Sequence, residues 1–349
     1  MDGRPPKLKR PSNCAIRRTS WLSYAIDYQL SGPELDPFAF HFTNILLHSV
    51  SAVLFYFASR RLLNAAGFGG GGSSSRQSWV VAAAALTATF FWSVHPLRVE
   101  SVAWATERRD VLSGLFWLAA LLAYLIAFPR AAQRPASAKW FAVSILFLLL
   151  SLLSKAWGMT FFVVVTILDW YPLRRLPENP LRWLLGGAWP VLIQKTPYVF
   201  LGLVFAATAA YAQGSVQATR EAAEWPLWAR LVQSAYGLVW YPRTTLWPVN
   251  LSALYELPIG LSPWEPRFIA CYAVLILAAA VLLVFWRRWP SLPAAAAVFA
   301  VLVGPVLGFL QSGDQFVADR YSYLSCMSWS LLLAAGFVWL VLKVPRPVQ

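Results

Sequence analysis

The run His95-Pro96-Leu97-Arg98-Val99-Glu100-Ser101-Val102-Ala103-Trp104-Ala105-Thr106-Glu107-Arg108-Arg109-Asp110 gathers carboxylates, guanidiniums and an indole between two apolar stretches. On a helix Glu100 and Glu107, seven residues apart, share a face with Trp104 between them. A carboxylate beside an indole suits a carbohydrate: the carboxylate binds or deprotonates hydroxyls, and the ring covers the apolar sugar face. Arg98, Arg108 and Arg109 have donors suited to a phosphate. The same spacing also describes an ordinary interfacial helix whose charges pair with one another. A second run, Asp314-Gln315-Phe316-Val317-Ala318-Asp319-Arg320-Tyr321-Ser322-Tyr323, precedes an apolar stretch. Arg320 there is placed for a lipid phosphate and Asp319 for orienting it or binding a hydroxyl. A helix cap, a snorkelling arginine and aromatic-belt tyrosines read the same way. Lys155 sits between two apolar runs, where an ammonium either snorkels or meets a phosphate. His41, Asn44 and His48 are spaced along one helical face. They form either a polar cavity wall or interhelical hydrogen bonds, each worth about 1 kcal/mol. Two histidines with no third ligand give little basis for a metal; no cofactor is assigned, and a divalent metal stays open but unsupported.

These residues are carried by an apolar chain. Hydrophobic residues make up 58% of its 349 residues and charged residues 13%, with a mean hydropathy of +0.55. Soluble domains are roughly 45–50% apolar and about 25% charged, so a soluble enzyme and a disordered chain are both excluded. Cys14, Cys271 and Cys326 are too few for a disulfide framework. The net charge of +14 is spread in small clusters between apolar runs, which is a topology pattern rather than a nucleic-acid footprint. The fold class is therefore all-α: a polytopic bundle with nine expected spans at 40–59, 79–97, 110–128, 140–154, 157–171, 197–213, 268–286, 292–311 and 323–342. The fourth and fifth are short and should form a hairpin turning at Ser154-Lys155-Ala156.

Loop charges orient the bundle. One set of connections carries fourteen basic residues, from Arg60 and Arg61 through Arg130 and Arg174 to Lys343 and Arg346, with Glu178 and the span-end Asp169 its acids. The opposite set carries nine basic and nine acidic residues. The positive-inside rule puts the first set in the cytoplasm and the mixed-charge connections, 98–109, 214–267 and 312–322, outside. Within 214–267, Pro226 to Tyr241 can form an amphipathic helix on the membrane. The chain then divides into an outer segment 1–37, a transmembrane domain 38–343 and a tail 344–349, with a flexible inner linker at 67–75. Residues 1–18 break the rule, holding six basic residues against Asp2. A preceding transmembrane helix is expected to have carried them across.

The segments "RRTSWLSYAIDYQLSG…FHFTNILLHSVSAVLFYF" (from Arg17), "FFWSVHPLRVESVAWATERRDVLSGLFWLAALLAY" (from Phe90), "LLSKAWGMTFFVVVTILDWYPLRRL", "TTLWPVNLSALYELP" and "ADRYSYL" resemble the membrane part of the TMTC-type proteins, which include bacterial tetratricopeptide-repeat membrane proteins. The resemblance runs in order from about Arg17 to Lys343. It implies a GT-C glycosyltransferase-like fold related to protein O-mannosyltransferases. It implies an extracytoplasmic site, in a bacterial inner membrane or the endoplasmic reticulum, that takes a polyprenyl-phosphate sugar and an acceptor hydroxyl on a polypeptide or glycan. The family's HP-x-x-x-E and ADRY elements fall on His95, Pro96, Glu100, Asp319 and Arg320.

Two departures matter. Family members usually begin with a further helix and an outer loop bearing an acidic pair, where the general base is expected, and this chain starts after it. They usually continue into tetratricopeptide repeats, and this chain stops first. Asp27 and Asp36 are acids near the start but form no such pair. The expectation is a glycosyltransferase-like membrane protein without the family's acidic pair, either inactive for that reason or dependent on the remaining carboxylates, Glu100 and Asp319. Arg320, Arg98, Arg108 and Lys155 are the expected lipid-phosphate contacts. His95, Glu100, Trp104, Glu107 and His41 are the expected sugar or acceptor contacts. The alternatives are a non-enzymatic binder or transporter of lipid-linked substrates, and an inert gene fragment.

Overall fold

The computed structural model describes residues 18–31, 36–70, 75–179, 181–185, 187–215, 225–258, 260–308 and 315–342. The basic segment 1–17, the centre of the 67–75 linker, Asp314 and the tail 344–349 lie outside the described residues. In chain order the helices are α1 (Arg18–Ser31), α2 (Pro37–Ala65), α3 (Ser75–Ser93), α4 (Val99–Ala103), α5 (Arg108–Ala127), α6 (Ala138–Ser154), α7 (Phe161–Trp170), α8 (Arg182–Leu185), α9 (Trp189–Ile193), α10 (Thr196–Ser215), α11 (Leu227–Leu246), α12 (Pro266–Phe285), α13 (Ser291–Val303), α14 (Ser322–Ser325) and α15 (Met327–Leu342). Strands β1 (Tyr255–Glu256) and β2 (Gln315–Val317) pair antiparallel.

A helix occurs at each of the nine expected positions, but not all are full spans. Among the described residues three helices are long and apolar enough to cross a membrane: Pro37–Ala65, Ala105–Ala127 and Pro266–Phe285. The number rises to five if α3 with Pro96–Ala103, bent by 59°, and Asp319–Ser325 with α15, bent by 62°, are each taken as one span. The others are apolar helices of 10–17 residues. Apolar composition alone locates such segments, but a proline or a break such as those at Pro96 and Lys155 shortens the helix below the roughly 20 residues a span needs. The α12 surface, with Ile276, Leu277, Leu283 and Val284 all exposed, would be untenable in water and suits lipid. The chain is a helical membrane protein.

Local chemistry sets the helix starts. The Asp36 side chain accepts from the Phe38 N–H at 2.9 Å, and Pro37 follows as the first helical residue of α2. The chain turns as expected at Lys155, which is extended between α6 and the 3-10 turn Ala156–Thr160, but α6 packs along α5 rather than forming a tight hairpin with α7. The expected surface helix in 214–267 runs from Leu227 to Leu246 and is not a free membrane rider: Ala229, Val232, Gly237, Trp240 and Tyr241 are buried against the bundle.

The core lies where α2, α3, α5, α6, α7 and α15 converge, around Trp92, Trp117, Tyr124, Phe161, Tyr198 and Tyr323. Tyr323 is its pivot. Its hydroxyl lies 2.9 Å from His48 Nδ1, and its carbonyl accepts from the Trp92 indole at 2.8 Å. Gly114 on α5 lets the ring approach: a methyl there would stand 2.5 Å from Tyr323 Cε1. At the opposite end Asp169 is enclosed with Arg175 at 2.7 Å, Lys195 at 2.5 Å and the Tyr124 hydroxyl at 2.8 Å. An apolar interior tolerates these charges because each one is paired. The Gly114→Ala substitution should overpack the α5–Tyr323 contact and lower stability by roughly 1–3 kcal/mol, read as a drop in thermal unfolding midpoint of the detergent-purified protein.

Candidate functional site

The connections around residues 95–110, 155, 255 and 315–323 meet at one end of the bundle. The motif starting at His95 is built by capping. His95 is extended, its Nδ1 accepts from the Leu97 N–H at 3.2 Å, and Pro96 opens a 3-10 turn. His95 Nε2 lies 3.0 Å from the Thr245 carbonyl of α11. Both ring nitrogens of His95 are thus committed to the fold.

The expectation that Glu100 and Glu107 share one helical face is corrected. Trp104 adopts φ −79° and ψ 109°, which breaks the stretch into α4 and the 3-10 turn Ala105–Glu107. The break sends the two carboxylates to different partners, and the Trp104 ring is left exposed. Glu100 accepts the Arg320 backbone N–H at 2.7 Å and pairs with the Arg320 guanidinium. Arg320 also donates to Gln315 Oε1 at 2.8 Å. Glu107 is held by Arg109 at 2.6 Å and lies 3.8 Å from Lys155.

Two elements converge beside this pair. The β1–β2 ladder, in which Tyr255 faces Val317, brings the Tyr255 hydroxyl to donate to Asp319 Oδ1 at 2.9 Å. Burial raises the Tyr255 pKa above its ordinary value, with the Asp319 and Glu100 charges adding to the rise, so the phenol stays protonated and remains a donor. Arg98 is buried between the rings of Trp92 and Tyr323, and its Nη2 donates to Ser322 Oγ at 2.6 Å. Its Nε and Nη1 have no hydrogen-bond partner. Arg98 is thus a buried cation, electrostatically close to Asp319, whose Nε and Nη1 lie among aromatic rings without a hydrogen-bond acceptor.

Other sequence-expected residues are placed differently. The Arg108 guanidinium is enclosed: it pairs with Asp27 and donates to Asn44 Oδ1 at 2.7 Å and the Phe40 carbonyl at 2.7 Å. Asp27, an acid without an evident role in the sequence, is its counter-ion. Lys155 pairs with Asp110 and lies 4.0 Å over the Trp157 ring. Burial lowers the Lys155 pKa, against the pull of Asp110 and Glu107. His41, on the first turns of α2, is exposed while Asn44 and His48 are buried, so the three do not form one wall. Among the described residues no group of three His, Cys, Asp or Glu converges as metal ligands would.

Sequence reasoning missed Tyr255, Asp110 and Asp27. Asp110 closes the charged run in the first turn of α5, a signal that was legible; Tyr255 reaches the site only through the strand pairing. Arg108→Gln should strand Asp27 and lower stability by about 3–5 kcal/mol. Arg109→Gln, on a partly exposed guanidinium, should lower it by less than about 1 kcal/mol. Thermal unfolding in detergent compares the two.

The chain is similar to curated proteins of one kind. It is 30% identical over 168 residues to Protein O-mannosyl-transferase tmtc2 of Xenopus laevis, covering 48% of this chain and 18% of that protein. It is 32% identical over 160 residues to Protein O-mannosyl-transferase TMTC4 of Homo sapiens, covering 45% and 21%. It is 27% identical over 119 residues to human TMTC3, covering 34% and 11%. The matched region is about a fifth or less of the length of these relatives. No protein-family model and no solved structure matches the chain. Through about half of its length, the chain is related to the TMTC-type protein O-mannosyl-transferases.

Proposed function

We propose that this chain is a multi-pass, GT-C-like membrane glycosyltransferase domain that takes a polyprenyl-phosphate sugar and an acceptor hydroxyl at the end of the bundle where Glu100, Asp319, Arg320 and Arg98 meet. The observation that carries the reading is the buried Arg98 guanidinium with two unpartnered N–H groups, set beside Asp319 and the Glu100–Arg320 pair. A lipid-linked phosphate supplies the missing acceptors. Arg320, only 12% exposed and already oriented by Glu100 and Gln315, is the second phosphate contact. Arg108 and Lys155 act through the scaffold instead, since their own carboxylates occupy them.

The implied reaction is displacement at the anomeric carbon. The acceptor oxygen forms the new bond to that carbon and the bond to the lipid phosphate breaks. The acceptor proton passes to a carboxylate, and the phosphate leaves with the bond pair, stabilised by Arg320 and Arg98. Asp319 is the better placed of the two carboxylates to receive the proton. Tyr255 fixes one of its oxygens, while Glu100 is tied to Arg320 through both of its own. His95 positions the loop through its cap, Glu107 neutralises Arg109, and exposed Trp104 and His41 border the approach. The relatives' names, protein O-mannosyl-transferase, support a protein hydroxyl as acceptor and mannose as sugar.

A photoreactive polyprenyl-phosphate sugar tests the site directly. Labelling and transfer should fall by about 10²–10³-fold in Arg320→Ala and hold in Lys139→Ala, which removes a charge at the other end. Equal labelling of all three proteins would overturn the site. Labelling of the wild type without transfer would instead favour a binder of lipid-linked substrates. The mixed-charge end faces away from the cytosol in this reading. A cysteine introduced at Trp104 should react with a membrane-impermeant maleimide in intact cells, while one at Arg130 should react only after the membrane is opened; the reverse pattern would remove the donor site.

A further inference from the structure

The end of the bundle remote from Glu100 and Arg320 carries a second concavity. Asn44, which touches the Val102 carbonyl and Arg108 at the first end, lies twenty residues before Asn64 on α2. That is about 30 Å along a helix, the thickness of a bilayer's hydrocarbon core. At the far end Arg60, Arg61 and Asn64 from the last turns of α2 face Arg130 of the α5–α6 connection across a pocket of about 520 Å³. Phe57 and Leu125 line its apolar side, and Phe57 is 45% exposed toward the surround of the bundle.

The wall bearing Arg130 is fixed. Ala131 adopts φ 61°, the left-handed region that residues other than glycine seldom enter, and its N–H bonds to the Leu173 carbonyl at 2.8 Å. This turn ties the connection to the chain after α7. Arg175, whose Nε donates to the Ala132 carbonyl, shares Asp169 with Lys195. Among the described residues no carboxylate lies within ion-pairing distance of Arg60, Arg61 or Arg130; Arg60 has only the Tyr56 ring, 5.7 Å away. Topology requires basic residues in this set of connections. It does not require three of them to converge, with an amide, on one concave notch where they repel one another. Basic notches between transmembrane helices are suited to anionic head groups.

We propose that the notch formed by Arg60, Arg61, Asn64 and Arg130 binds the phosphate of an anionic phospholipid. The guanidiniums and the Asn64 amide take the phosphate oxygens, and Phe57 and Leu125 lie along the first methylenes of an acyl chain. A lipid rather than a soluble anion is favoured because the apolar side of the pocket leads into the hydrocarbon-facing flank of α2. This site is independent of the donor site at the other end.

Native mass spectrometry of the full chain in neutral detergent tests it, with phosphatidylglycerol, phosphatidylcholine and inorganic phosphate as the probes. Phosphatidylglycerol should bind more tightly than phosphatidylcholine. Arg61→Gln/Arg130→Gln should weaken phosphatidylglycerol by roughly tenfold to thirtyfold, and Arg134→Gln/Lys139→Gln, which removes the same charge outside the notch, by less than about twofold. Asn64→Asp, on an exposed position of α2, places an acid in the notch without disturbing packing and should also weaken binding. Unfolding midpoints without lipid establish that each variant is folded, and Asn64→Asp decides the matter if the double variant is not. Equal losses in both double variants would overturn the site, as would equal binding of the two lipids. Inorganic phosphate competing at millimolar concentration would also overturn it, by making a soluble anion the occupant.

Discussion

The pairing of Glu100 with Arg320 joins parts of the chain 220 residues apart and holds the mixed-charge end of the molecule together. Its carboxylate takes both the backbone N–H and the guanidinium of Arg320, so it fixes a main-chain position as well as a charge. Through it the segment between α3 and α5 is bound to the turn that precedes α15. That turn also carries Asp319, which Tyr255 holds, and leads into Tyr323, which packs on Trp92 and His48 in the core. Breaking one member of such a partly buried pair leaves the other uncompensated, which is why the constraint propagates from the site into the helix packing.

The same rule explains why so many charges persist in an apolar protein. Arg108 is enclosed with Asp27, Asp110 with Lys155, and Asp169 with Arg175 and Lys195. Most are clasps between elements distant in sequence, Asp169–Arg175 being the local one, and each removes a charged group from the list of possible substrate contacts. Once these are subtracted, Arg98 stands out: a buried guanidinium with donors to spare. The arginines around Asn64 stand out for the complementary reason, as cations without a counter-ion among the described residues.

The relatives give this arrangement a chemical direction. They are named protein O-mannosyl-transferases, and the likeness covers about half of this chain and about a fifth or less of theirs. That likeness points toward a transferase without saying which residues serve it. The chemistry assigned to it rests on the geometry of Arg98, Asp319 and Arg320 and on the experiments that address them.

Residue types and their order determined a good deal: that the protein is helical and apolar, where its helices lie, that the chain turns at Lys155, and which short runs hold the carboxylates and guanidiniums. These are local properties, set by hydropathy and by prolines such as Pro37 and Pro96. Tertiary structure alone decided which charges pair. Periodicity placed Glu100 and Glu107 on one face, but the extended backbone at Trp104 separates them, and nothing in the spacing announces that break. Tyr255 reaches Asp319 only because two short strands from remote segments meet, and Arg130 joins Arg60 and Arg61 only because a left-handed turn at Ala131 is held by Leu173. Ion pairing depends on ångström-scale distance and on loss of water, and both are properties of the packed bundle rather than of position along the chain.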